Sequence, residues 1–134
     1  MIATTAKSLG SEAVTNGIRI QVEPSFMDAH SDIERARFIF SYKVRMTNDG
    51  SVRARLVSRS WKIVDAAGNH HGVDGPGVVG QHPDLAAGET YEYSSFCPLA
   101  TAWGTMEGHF VFEREDGSTF QAQVARFYLA APTT

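Results

Sequence analysis

The chain has one cysteine, no apolar run long enough for a membrane span, no surplus of basic residues and no low-complexity segment. Each absence narrows what it can be. Cys97 has no partner for an internal disulfide, so a disulfide-stapled scaffold is excluded. A spanning helix needs about 20 apolar residues, and nothing in the chain approaches that, so membrane insertion is not expected. Fifteen acidic residues against twelve basic ones give a formal charge of -3, which lacks the basic footprint of a nucleic-acid or anionic-lipid binder. Residues 1–10 carry Lys7 but no apolar centre, unlike a secretory signal. The expected location is the cytoplasm. What remains is an ordinary globular composition, 43% hydrophobic and 20% charged over 134 residues. One domain of that size buries roughly two-thirds of its unfolded surface without metals or crosslinks.

What is present reads as strands. Ile18, Ile20 and Val22 alternate with polar residues, and Phe38, Phe40, Tyr42, Val44 and Met46 repeat the pattern. Period-two alternation means one buried face. Asn48-Asp49-Gly50 supplies residues that tolerate a reversal. A long strand is predicted over 52–64, and its phase slips near Leu56 and Val57: Ala54 and Leu56 share one phase, Val57, Trp61 and Ile63 the other. A bulge would absorb that slip. The stretch 70–88 reads as a long glycine-rich loop with a short strand at Val78 and Val79. Further strands are expected over 89–96, from Met106 to Phe112, and from Phe120 to Val124. Residues 28–37 allow a turn or two of helix. Seven or eight strands with turns about every ten residues fit an all-β, immunoglobulin or fibronectin type III-like β-sandwich, with Trp61 as its core anchor. Residues 1–14 and 131–134 are expected to be flexible around a domain of 15–130.

Few residues suggest chemistry. Gly75-Pro76-Gly77-Val78-Val79-Gly80 matches G-x-G-x-x-G, whose glycines let backbone amides approach a pyrophosphate. The pattern needs a strand before it and a helix after it, and Pro83 and Gly88 interrupt any helix here. A glycine-rich nest can still bind an anion without a helix. Gly75, Gly77 and Gly80 are therefore candidate contacts for a pyrophosphate or nucleotide, with Arg59 and His82 flanking them. On that reading Gly77→Ala removes binding with little loss of fold. The competing reading is a shaped loop and nothing more. His70, His71, His82 and His109 lack metal-site spacing, and adjacent histidines in an extended segment face opposite ways. Cys97 has no nearby Lys or Arg to activate it and reads as a small buried residue. No nucleophile elbow surrounds Ser58 or Ser60, and Glu113 and Glu115 read as a solvated edge. No catalytic role and no cofactor are expected. Arg53, Arg55 and Arg59, with Lys43 and Arg45 on a neighbouring strand, would form either a basic docking patch or a solvated face paired with acids. Ile39, on the outer phase of its strand, is the candidate contact for a homodimer.

The ordered series Ser58-Arg59-Ser60-Trp61, Gly75-Pro76-Gly77-Val78-Val79-Gly80-Gln81-His82-Pro83, Leu85-Ala86-Ala87-Gly88-Glu89, Tyr91-Glu92-Tyr93-Ser94-Ser95, Pro98-Leu99 and Gly104-Thr105-Met106-Glu107-Gly108 resembles the ApaG family. The resemblance covers roughly residues 15–130; His71 and Trp103 lie outside the family pattern. It implies a fibronectin type III-like sandwich and a free-standing bacterial protein. It also implies a non-enzymatic module for protein partners, since the same domain is attached to certain F-box and polymerase-interacting proteins. The family's link to cobalt and magnesium resistance or efflux would act through a partner, since no span is present to carry an ion.

Overall fold

The computed structural model describes residues 9–132. Two antiparallel sheets pack face to face. The first contains β1 (Ser11–Thr15), β2 (Ile18–Phe26), β3 (Phe38–Asn48) and β7 (Thr90–Leu99), in the order β1-β2-β3-β7. The second contains β4 (Ala54–Asp65), β5 (His70–Pro76), β8 (Trp103–Glu113) and β9 (Thr119–Ala130), in the order β5-β4-β8-β9. The two-residue β6 (Asp84–Leu85) pairs with the start of β4. The chain crosses between sheets after β3, before β7 and after β7, as a sandwich requires. The alternation read from the sequence supplies the core: Ile18, Ile20, Val22, Phe40, Tyr42, Val44 and Met46 from one sheet face Leu56, Trp61, Met106, Phe110, Phe112, Phe127 and Leu129 from the other. Trp61 is the anchor expected of it. Its ring lies edge-on to Tyr42, Phe110 and Phe127 at centroid distances of 5.4, 5.8 and 5.9 Å, the favoured geometry for aromatic pairs.

The phase slip in β4 is a bulge. Leu56 pairs with Phe112 and Ser58 with Val111, leaving Val57 as the extra residue. Leu56 and Trp61 therefore both face inward despite odd spacing. A second bulge, between Val124 and Phe127 on β9 opposite Met106 and Gly108, does the same for that strand.

Several expectations change. The count is nine strands among the described residues, not seven or eight, because β1, β5 and β6 have little apolar pattern to betray them. β5 is almost wholly exposed and is held by the β4 ladder, not by burial. Val78 and Val79 form no strand. Val78 and Gln81 close a tight turn by two backbone bonds of 2.8 Å, with Val78 buried and Val79 exposed in the left-handed region at φ 47°. The helix expected over 28–37 is two single 3-10 turns, Asp28–His30 and Ile33–Arg35. Residues 11–14, expected to fray, lie in β1. The Ser11 hydroxyl donates to the Ala125 carbonyl (2.7 Å) and the Thr15 hydroxyl accepts from the Gln123 N–H (3.1 Å), which staples β1 to β9. The first strand thus begins at Ser11, and Ala131 is tied back by a 2.8 Å bond from its N–H to the Ala102 carbonyl. The rest of the expected flexible ends, residues 1–8 and 133–134, lies outside the described residues. Ile39, the candidate homodimer contact, is half-buried, and its N–H and C=O are taken by Ser31 and Met27.

Candidate functional site

The sequence candidates do converge. β5 runs antiparallel to β4, so Gly75 stands opposite Arg59. A Cβ at Gly75 would lie 3.1–3.2 Å from the Arg59 guanidinium, so the missing side chain makes room for it. Arg59 Nη1 donates to the carbonyls of Pro76 and Gly77, both at 2.9 Å. His82 Nδ1 lies 3.1 Å from the Leu56 carbonyl, and a Cβ added at Gly77 would come within 3.1 Å of its Nε2. Gly80 stands apart at the turn tip with open space around it.

The arrangement locks a loop. The Gly77 N–H donates to the Val57 carbonyl, and the N–H groups of Val78 and Gln81 close the turn. An anion nest needs successive free amides; those of Gly77, Val78 and Gln81 are committed inside the protein, whereas the N–H groups of Val79 and Gly80 at the tip make no backbone bond among the described residues. Gly77 is required for its own geometry: at φ 58° a Cβ would collide with the Gln81 carbonyl. Gly77→Ala therefore disturbs the loop itself, contrary to the expectation that the fold would tolerate it. Replacing Arg59 with Met should loosen the loop. It removes two charge-assisted bonds from a half-exposed site, so stability to urea should fall by about 1–2 kcal/mol; an unchanged unfolding midpoint would show that the loop is held without Arg59.

The basic patch does not assemble. β3 and β4 belong to different sheets, so Lys43 and Arg45 are not on the same face as the β4 arginines. The β4 bulge also parts Arg59 from Arg53 and Arg55. The remaining cations pair with acids: Arg53 with Asp84 (3.2 Å), Arg55 with Glu113 (3.4 Å), and Lys43 and Arg45 with Glu92 (3.9 and 3.6 Å). Such exposed pairs add little stability, since solvent screens them. Among the described residues, no three His, Cys, Asp or Glu gather as metal ligands.

The feature the sequence did not disclose lies between the sheets. β1 and β9 close one side of the sandwich, whereas β5 and β7 leave the other open. A cavity of about 550 Å³ enters there, lined by Tyr42, Arg59, Trp61, Ile63, Met106 and Leu99 among others. Of the two adjacent histidines only His71 lines it. Phe96 of β7 and Val73 of β5 are both among its lining residues, 61% and 36% exposed. Burial pushes the Cys97 thiol up to about 11, so at neutral pH it remains an unreactive thiol. Burial also raises the phenols of Tyr42 and Tyr93. Among the described residues two buried polar side-chain atoms have no partner, the Trp61 Nε1 and the Tyr93 hydroxyl. One clue is legible in the sequence: Arg59 shares the phase of Trp61 and Ile63.

These features define a fibronectin type III-like sandwich with one side open and a glycine loop locked beside the opening. The chain belongs to the ApaG family: the model for the ApaG domain matches residues 28–114. It is 49% identical over 122 residues to Protein ApaG of Anaeromyxobacter dehalogenans, covering 91% of this chain and 96% of that one. It is 45% identical over 123 residues to Protein ApaG of Stenotrophomonas maltophilia, covering 92% and 97%. The crystal structure of a Bordetella pertussis protein described as ApaA is similar at a TM-score of 0.84 and 41% identity, over 94% of this chain and 99% of that one.

Proposed function

We propose that this ApaG-family chain is a non-catalytic binding module whose partner is another protein, docking along the open side of the sandwich in the cytoplasm. The observation that carries the reading is the asymmetry of the two sides. β1 is stapled to β9, but among the described residues β7 ends its sheet with no neighbour beyond it and presents Phe96 at 61% exposure. An edge strand with free backbone groups and an exposed aromatic is suited to accept a strand from a partner. The family's link to cobalt and magnesium resistance would then pass through the docked partner. Among the described residues no helix is long and apolar enough to cross a membrane.

Affinity capture from native lysate tests this. The wild-type chain should retain a specific protein, and Phe96→Asp should lose it at least tenfold while unfolding at the same temperature. Identical capture by both chains, or no specific capture by the wild type, would count against docking at β7.

A further inference from the structure

The cavity is built for more than an edge contact. Trp61 is only 4% exposed, lines the cavity and carries an indole N–H with no acceptor among the described residues. Buried donors are nearly always satisfied, so an orphan on a cavity wall points to a group supplied from outside. Two residues along the same strand, and so on the same face, Arg59 lines the cavity as well. Its guanidinium is fixed in place by the Pro76 and Gly77 carbonyls, and it forms no ion pair among the described residues, unlike Arg53, Arg55 and Arg126. The acid that lines the far end, Asp65, is already occupied. Its Oδ1 accepts from the N–H groups of Ala67 and Asn69 (2.9 Å each) and its Oδ2 from Asn69 Nδ2 (3.2 Å). Asn69, His71 and Ser95 are the other polar residues of the lining and the remainder is apolar or aromatic; the volume of about 550 Å³ falls within the range of small-molecule sites, about 300–1,000 Å³.

We propose that this inter-sheet cavity binds a small amphipathic carboxylate, its apolar body packed on Trp61, Ile63 and Leu99 and its carboxylate held by Arg59 with the Trp61 indole N–H as second donor. An uncompensated guanidinium disfavours a cation there, and an orphan donor calls for an acceptor. The charge selects an anion, and the aromatic floor selects one with a hydrophobic tail. This site is separate from the 75–80 loop amides and goes beyond the docking of a protein at β7, so either can fail without the other.

Octanoate is the probe, with octanol and octylammonium as tail-matched controls. The two tryptophan indole N–H resonances are followed by NMR in the unmodified protein, where Trp103, 51% exposed on the surface, serves as the internal reference. Octanoate should shift the Trp61 indole resonance saturably and leave Trp103 in place. Both controls should bind at least tenfold more weakly. Val73→Trp, which crowds the mouth from the exposed β5 edge, should weaken octanoate at least tenfold with the remaining spectrum retained. The idea is overturned if octanoate gives no saturable shift at Trp61, if the three probes bind equally, or if a folded Val73→Trp binds octanoate as the wild type does. The three-probe comparison needs no variant, so it decides the matter even where the Val73→Trp chain fails to fold.

Discussion

Gly108→Ala is expected to abolish cooperative folding at ordinary temperatures. Gly108 stands opposite Trp61 in the β4–β8 ladder. A Cβ there would overlap the Ser60 carbonyl oxygen, lie 2.9 Å from the Ser60 carbonyl carbon and sit 3.1 Å from the Trp61 Cα. Every obstructing atom is backbone, so no rotamer change relieves the clash. Neither strand can step aside, because β4 and β8 are the two inner strands of the sheet, flanked by β5 and β9. Moving β4 would also carry Trp61 away from Tyr42, Phe110 and Phe127, undoing the centre of the core. Overpacking of this kind costs typically about 1–3 kcal/mol with side chains as the obstacle. Against fixed backbone at the core anchor, about 4 kcal/mol or more is expected, the exceptional end of single substitutions. A domain has only about 5–15 kcal/mol in total. Circular dichroism during thermal unfolding checks this: a melting temperature within a few degrees of wild type would mean that the sheet yields at this position.

The contrast between Gly108 and Gly77 on one hand and the G-x-G-x-x-G pattern on the other shows what a sequence reveals here. Strand alternation is legible in β2, β3 and β4 because those strands bury one face, and periodicity reports burial. The β4 bulge is legible for the same reason, since Leu56 and Trp61 cannot both be inward without it. β5 is not, because His70, His71, Gly72 and Asp74 pair through backbone bonds that carry no side-chain signature. The sequence points to Arg59 and His82 beside the glycine loop, but not to the chemistry of their meeting. Whether an amide is free or committed depends on where the Val57 carbonyl lies across the bulge, and composition does not record that. The cavity is least legible of all. Its walls come from β3, β4, β5, β7 and β8, segments that are brought together by topology and not by spacing. The orphaned Trp61 donor emerges only when every possible acceptor has a position. The resemblance to the ApaG family implies the fold from an ordered motif series, yet it draws attention to the glycines and away from the inter-sheet opening.

Asn48→Ala should destabilise the domain by about 2–4 kcal/mol, the second large effect. Asn48 is the one fully buried polar residue among those described, and its side chain is satisfied on both ends. Nδ2 donates to the carbonyls of Val52 and Leu85, both at 2.9 Å, and Oδ1 accepts from the Gly50 N–H at 3.0 Å. Its backbone bonds Glu89 and Gly88 (2.9 and 2.7 Å). One residue thereby ties the end of β3 to the following turn and to the stretch that leads into β7. Alanine removes this partner from the Leu85 carbonyl and the Gly50 N–H and leaves the Val52 carbonyl to Arg114 alone (2.8 Å); each unmet group costs about 1–3 kcal/mol less whatever water recovers. Asn48→Asp separates this network from simple loss of volume. It keeps the acceptor but replaces the donor with an oxygen facing two carbonyls, which only a protonated carboxyl can satisfy. Burial and those carbonyls would raise the folded-state pKa of that carboxyl above its unfolded value of about 3.9. A raised folded pKa favours the native state below the unfolded value and loses that contribution as pH rises through the folded value. The aspartate variant should therefore be penalised relative to wild type much more at pH 7 than near pH 4, whereas the alanine variant's penalty should be flat over the same range. Urea unfolding of the three chains at both pH values decides it, and a flat aspartate penalty would mean that the side-chain donor at position 48 does not hold the two carbonyls.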